Sequence, residues 1–229
     1  MHRHAIALLC ALYATSARAE PGGTSTVYGP TVERGESELE YRGAIFNGGA
    51  LDGAVLHRAE AGYAFTDWWR PALVVQAADM PGASAELTSV ALENVFDFTA
   101  TRTWPVHFGG YAEYSFGQNG RDDAVEFKLL AERRAGPWTA RLNLIAERHV
   151  GDGASNEWKY GYAARAMWRA NERWALGVEG FGEPEAHAHY WGPRASFRLG
   201  EASIAAGYLA GFDDAQADGQ FRLTLELKR

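Results

Sequence analysis

The sequence predicts an all-β protein, a transmembrane up-and-down antiparallel β-barrel of about twelve strands. Three observations carry that prediction. Apolar residues recur with a period of two in segment after segment, the connections alternate between short turns and looser loops, and tryptophans gather at the segment ends. Period two is the spacing at which neighbouring side chains fall on opposite faces of a strand.

Ahead of the first strand, Met1–Ala19 has the three parts of a secretory signal: His2-Arg3-His4, the apolar run Ala5–Tyr13, and Ala17-Arg18-Ala19 as a cleavage site before Glu20. Cys10, the only cysteine, leaves with it, so disulfides and thiolate chemistry are excluded from the mature chain. Residues 20–33 read as a periplasmic N-terminal segment and residues 34–229 as the barrel. Alternation appears at about 34–46, 54–66, 71–79, 85–98, 106–117, 123–133, 138–149, 158–169, 173–182, 189–199, 202–212 and 221–228. In the last, Phe221, Leu223, Leu225 and Leu227 alternate with Arg222, Thr224, Glu226 and Lys228.

Short turns fall at 66–70, 135–137, 170–172 and 200–201, with a longer one at 99–105; looser Gly-, Asp- and Asn-rich loops fall at 47–53, 79–84, 118–122, 151–156, 183–187 and 213–219. A barrel in the bacterial outer membrane has short periplasmic turns and longer external loops. Such a topology predicts both termini in the periplasm.

The apolar face is assigned to lipid. Side chains fill a barrel of about eight strands, whereas about twelve leave a lumen. The segments also match the ~9–11 residues of a tilted membrane strand better than the ~5–6 of an ordinary one. Trp158 and Trp168 are separated by about 33 Å at ~3.3 Å per residue, which projects to roughly 25 Å along the normal at ~40° tilt, the height of the apolar band of such barrels. Trp68, Trp69, Trp104, Trp138, Trp168 and Trp174 then form an aromatic girdle at the short-turn end, with Trp158, Trp191, Phe46 and Phe116 on the other. The opposite parity lines the lumen with Glu40, Arg42, Glu60, Glu93, Asp97, Glu113, Arg165, Arg194 and Arg198. Acids dominate this face on the first six strands and bases on the last six, where Arg141, Lys159, Arg169, Arg222 and Lys228 join the arginines.

Tyr28–Gly43, Ala61–Trp69 and Ala91–Thr99 resemble the entry strand, the second strand with its turn, and the fourth strand of a group of uncharacterised, porin-like proteobacterial outer-membrane β-barrels. The resemblance covers about a third of the chain. It implies the fold and an outer-membrane location, and no activity.

A formal charge of −7 becomes −9 when Arg3 and Arg18 leave with the signal and no acid is lost, which excludes a nucleic-acid partner. Outer-membrane lipid and lipopolysaccharide are the expected surroundings, with a small polar solute as ligand; no protein partner is legible. No cofactor and no catalytic residue are expected: His107 and Ser115 share a face but lie about 26 Å apart at ~3.3 Å per residue, too far for a dyad. His187 and His189 form the one pair with metal-ligand spacing, facing one side if the segment is extended; the plainer reading is an exposed polar loop. The function read here is passive passage of small polar solutes. Its alternatives are a structural or partner-binding barrel without an open channel, and an outer-membrane lipid hydrolase.

Overall fold

The computed structural model describes residues 21–229 except Thr101 and Asn156, so the signal sequence read at 1–19 lies outside the described residues. The strands are β1 (Ser37–Asn47), β2 (Val55–Tyr63), β3 (Trp69–Asp79), β4 (Glu86–Asp97), β5 (His107–Gly117), β6 (Asp123–Ala135), β7 (Trp138–Val150), β8 (Lys159–Arg169), β9 (Trp174–Glu183), β10 (Ala188–Leu199), β11 (Ala202–Asp213) and β12 (Gly219–Lys228). Each pairs antiparallel with its neighbours in sequence, and β12 closes on β1, with Glu38 opposite Lys228 and Asn47 opposite Gly219. Closure leaves no strand edge unpaired.

The turns follow from local chemistry. Gly136 and Gly200 each open a two-residue turn at positive φ (58° and 61°), where the flanking pairs Ala135–Trp138 and Leu199–Ala202 demand a backbone that matches the strand twist. β3 begins earlier than alternation suggested. Trp69 and Arg70 belong to the strand, not to the turn, and Pro71 is tolerated because it stands near the strand's start.

The exterior is a continuous apolar surface. Leu129 and Leu144 face each other at the centres of β6 and β7 and are 64% and 52% exposed; Leu39, Ile45, Leu73, Leu92, Val178 and Ile204 are exposed in the same way. A patch of this extent is not water-compatible and requires an apolar medium or a partner around it.

The interior holds a second chain path. The segment expected in the periplasm at 20–33 lies instead inside the barrel, as far as it is described. It starts with Pro21 and Gly22 against Gln220 at the long-loop end and descends past Asn143 in β7. At the short-turn end it reverses into β1 through a turn with Gly35 at φ 87°, closed by the Glu36 N–H donating to the Glu33 carbonyl at 3.0 Å. That reversal is why β1 starts at Ser37 rather than at 34. Pro21, the first described residue, and the carboxyl end thus lie at opposite ends of the barrel.

Two apolar layers fill the lumen around this segment. Towards the long loops, Val27 packs with Ala44, Phe46, Ala163, Phe181, Tyr190, Leu209 and Ala217. Towards the short turns, Tyr28 and Val32 pack with Ala64, Val95, Tyr111 and Leu130. Phe46, read as an outer girdle residue, is 1% exposed inside the barrel, on the same strand parity as Glu38, Glu40 and Arg42.

Candidate functional site: the barrel lumen

Between the apolar layers lies a network of buried charge built by β1 to β6. Arg42 of β1 holds Glu40 and donates to Glu60 at 2.6 Å; Arg58 of β2 donates to Glu93 at 2.8 Å and to Glu113 at 2.6 Å. The Tyr28 hydroxyl enters this network, donating to Glu93 at 2.6 Å and accepting from Arg42 at 3.0 Å. Tyr111 donates to Glu113 at 2.8 Å, and Lys128 sits over the Tyr28 and Tyr111 rings while pairing with Glu126 at 3.0 Å. Buried carboxylates persist only when paired in this way.

The other half differs. Glu179 of β9 receives both Arg194 and Arg222 at 3.0 Å, and Arg141 pairs with Glu132 at 2.5 Å. Among the described residues, Arg165, Arg169 and Arg198 make no ion pair; Arg165 donates only to the Val27 carbonyl, at 2.9 Å. These arginines line a cavity of about 1300 Å³ that reaches the turns at Asn171–Arg173 and Gly200–Glu201, at the short-turn end. Its other walls are Arg141, Arg194, the seam residues Glu38, Glu40, Glu226 and Lys228, and residues of the inner segment from Thr26 to Glu33. A separate cavity of about 60 Å³ lies towards the long loops, lined by Pro21, Gly22, Glu147, Lys159 and Phe181. The two share no lining residue, and the layer of Val27, Phe46, Phe181, Tyr190 and Leu209 belongs to the stretch between them.

The structure thus gathers Glu40, Arg42, Glu60, Glu93 and Glu113 in one buried network and Arg165, Arg194 and Arg198 on one cavity wall. Asp97 is apart from both. It is 6% exposed and caps the turn after β4, its carboxylate accepting from the Thr99 N–H at 2.8 Å. At the seam, Lys228 reaches Glu38 at 3.5 Å and Glu36 at 3.6 Å. Arg222 turns inward to Glu179 and to the carbonyls of Gly23 and Ser25. Sequence reasoning missed Arg70, which pairs with Glu38, and it missed Tyr28, Asn143 and Gln220, which hold the inner segment.

Trp68, Trp104, Trp138, Trp168 and Trp174 are 40–54% exposed near the short turns, Trp158 and Trp191 are 37% and 38% exposed near the long loops, and Trp69 is half-buried, its indole donating to Asn94 at 3.0 Å. The histidine pair does not converge. His187 ends the turn Pro184–Ala186 in the left-handed region (φ 51°, ψ 31°), so the segment is not extended there, and the His189 Nδ1 is engaged by the Tyr162 hydroxyl at 3.1 Å. Glu38, Glu40 and Glu226 do approach one another, but Arg70, Arg42 and Lys228 neutralise them.

No protein-family model and no curated protein matches the sequence. The barrel itself is shared with solved outer-membrane proteins. A KdgM porin in complex with disordered oligogalacturonate superposes with a TM-score of 0.61 at 9% identity, over 83% of this chain and 97% of that one. An outer membrane channel from Pseudomonas putida F1 gives 0.57 at 12% identity over 93% and 99%, and a NanC porin 0.56 at 9% over 82% and 98%. At these identities the likeness is one of fold: a closed twelve-stranded antiparallel barrel of the porin type.

Proposed function

We infer that this protein is an outer-membrane barrel that passes small polar solutes, with a preference for anions. The apolar exterior and the porin-type fold support the location, with the short turns and the C-terminus towards the periplasm and the long loops outside. The observation that carries the preference is the cavity of about 1300 Å³ lined by Arg165, Arg169 and Arg198, none of which forms an ion pair among the described residues. Guanidinium groups bind carboxylates and phosphates through paired hydrogen bonds, and in a low-dielectric wall their field concentrates anions. The KdgM neighbour was solved with oligogalacturonate, an acidic oligosaccharide. A small carboxylated sugar would fit the same chemistry here.

A second reading, a closed barrel with a structural or partner-binding role, is favoured by the inner segment and the apolar layer around Val27. Planar-bilayer recording of the purified chain under a salt gradient separates the two. Discrete steps with a reversal potential on the anion side are expected, cation selectivity would overturn the preference, and silence from every form of the barrel would favour the closed reading.

A further inference from the structure

The segment 21–36 is held by the barrel wall in an unusual way. It forms no strand, and its main chain meets that of the wall at its end, where the Gly35 N–H donates to the Ala64 carbonyl at 2.8 Å and the Glu36 carbonyl accepts from the Ala64 N–H at 2.9 Å. Over residues 21–28, barrel side chains bind its main chain instead. The Gln220 amide accepts from the Gly23 N–H at 2.7 Å and donates to the Pro21 carbonyl at 3.0 Å; the Asn143 amide accepts from the Tyr28 N–H at 2.7 Å and donates to the Tyr28 carbonyl at 3.0 Å. Arg42 donates to the Thr24 carbonyl at 3.1 Å, Arg165 to the Val27 carbonyl at 2.9 Å, and Arg222 to the Gly23 carbonyl at 2.9 Å. Only Val27, Tyr28 and Val32 add large buried apolar or aromatic side chains.

This is the arrangement of a bound ligand. The donors and acceptors it occupies are ones that water or a solute can satisfy in a wetted lumen once the segment leaves, and Glu93, which loses the Tyr28 hydroxyl, keeps Arg58 and Tyr111. The strands do not depend on the segment for their own hydrogen bonds, because β1 pairs with β2 and β12 from Ser37 and Glu38 onward. The link is a turn at Gly35, whose positive φ of 87° only glycine takes without strain and where an added Cβ would meet nothing within 4 Å. Val27, which the segment delivers, sits in the apolar layer between the two cavities, so the segment occupies the path a solute would follow.

We propose that residues 21–36 are a tethered plug, bound to a site on the lumen wall that recognises an extended main chain, and that the plug leaves this site when the barrel conducts. The proposal rests on the channel reading above and names its gate. A displaced state of this kind, held at ~0.1–10% of the population, is enough to give a detectable open probability.

The test compares the mature chain from residue 20, a variant lacking residues 21–33, and that variant with a synthetic peptide of residues 20–36 added. Deletion is expected to raise time-averaged conductance roughly ten- to thousandfold, and the peptide to block it, with a Tyr28→Ala peptide blocking less. Equal conductance with and without the segment would overturn the plug while leaving the channel standing. Silence from all three, with the barrel folded by circular dichroism, would overturn the channel reading itself.

Should the deletion fail to fold, Val27→Cys gives an independent answer, because the mature chain then has a single thiol. The thiol starts fully buried, so labelling by a charged methanethiosulfonate reports displacement, and the charged adduct should hold the channel in its higher conducting level. A thiol that stays unlabelled over hours in folded barrel overturns the proposal.

Discussion

The lipid face can be tested by moving one charge between the two sides of the wall. Leu129 is the midpoint of β6, six residues from either end. At ~3.3 Å per residue and a tilt of ~40°, those six residues project to about 15 Å, half of a ~30 Å hydrocarbon core. Leu129→Arg therefore puts a cation at the bilayer midplane, opposite Leu144, where the cost is ~2–4 kcal/mol. Leu142, two residues from the centre of β7, lies about 5 Å off the midplane by the same projection and should cost less, and Trp138 at the rim only ~0–1 kcal/mol from charge. Ala205, inward-facing and on the cavity wall, supplies the control. An arginine there enters the cavity beside Glu226 and should cost about 1 kcal/mol or less. Reversible urea unfolding in phospholipid vesicles, followed by tryptophan fluorescence, measures each value. A cost for Ala205→Arg equal to that for Leu129→Arg, or no gradient from 129 through 142 to 138, would refute the face assignment and the embedding together.

Neutralising Arg198 to Gln should shift the reversal potential toward cations while leaving stability within ~0.5 kcal/mol, and Arg165→Gln should shift it likewise but also cost ~0.5–1.5 kcal/mol with the hydrogen bond to the Val27 carbonyl. Arg194→Gln should also destabilise, by less than the ~3–5 kcal/mol of a fully broken buried pair because Glu179 keeps Arg222; unfolding midpoints distinguish the two classes. Asn143→Leu removes both hydrogen bonds to Tyr28, and a loss of ~1–2 kcal/mol of segment binding should speed labelling of the Val27→Cys thiol about 5- to 30-fold. Epitope tags at Asp152–Gly153 should be reachable on intact cells and tags at Ala170–Glu172 should not; surface labelling of the latter would invert the proposed orientation.

The strands are legible to within about three residues because two different solvents act on the two faces of one sheet. Where lipid meets Leu, Val and Ile and the lumen meets Glu and Arg, the contrast has the period of the backbone itself, and β4 at Glu86–Asp97 falls within one residue of the alternating stretch at 85–98. The same parity was sufficient to send Phe46 inward with Glu38 and Arg42; the habit of placing aromatic strand ends in the membrane interface pointed the other way. Arg70 was obscured because Trp-Trp-Arg-Pro reads as a turn. The inner segment left no trace of its position, for a physical reason. A strand is specified by its neighbours on both sides, whereas residues 21–28 are held by side chains reaching their main chain, and such contacts impose no pattern on the residues they bind. The sites that receive them, Asn143 and Gln220, are ordinary polar residues until something lies opposite.

Charge segregation around the wall gains its meaning from which charges remain unpaired. The acid-rich half, β1 to β6, carries its own cations: Arg42, Arg58, Arg70 and Lys128 take Glu40, Glu60, Glu93, Glu113, Glu38 and Glu126 into ion pairs, and Glu132 goes to Arg134 and Arg141. In that half each of these carboxylates has an ion-pair partner, and the network packs around Tyr28. The base-rich half has too few acids for this, since Arg194 and Arg222 share Glu179 while Arg165, Arg169 and Arg198 face the cavity without a carboxylate. In a protein whose formal charge is −7, the cavity at the short-turn end is thus lined by more basic than acidic side chains. The inner segment offers Arg222 and Arg165 only neutral carbonyls, from Gly23, Ser25 and Val27, which are weaker acceptors for guanidinium than a carboxylate. In the proposed channel, an anion arriving at the cavity would compete for Arg165 with an advantage the Val27 carbonyl cannot match, so the wall proposed to select the solute would also help to hold the proposed plug.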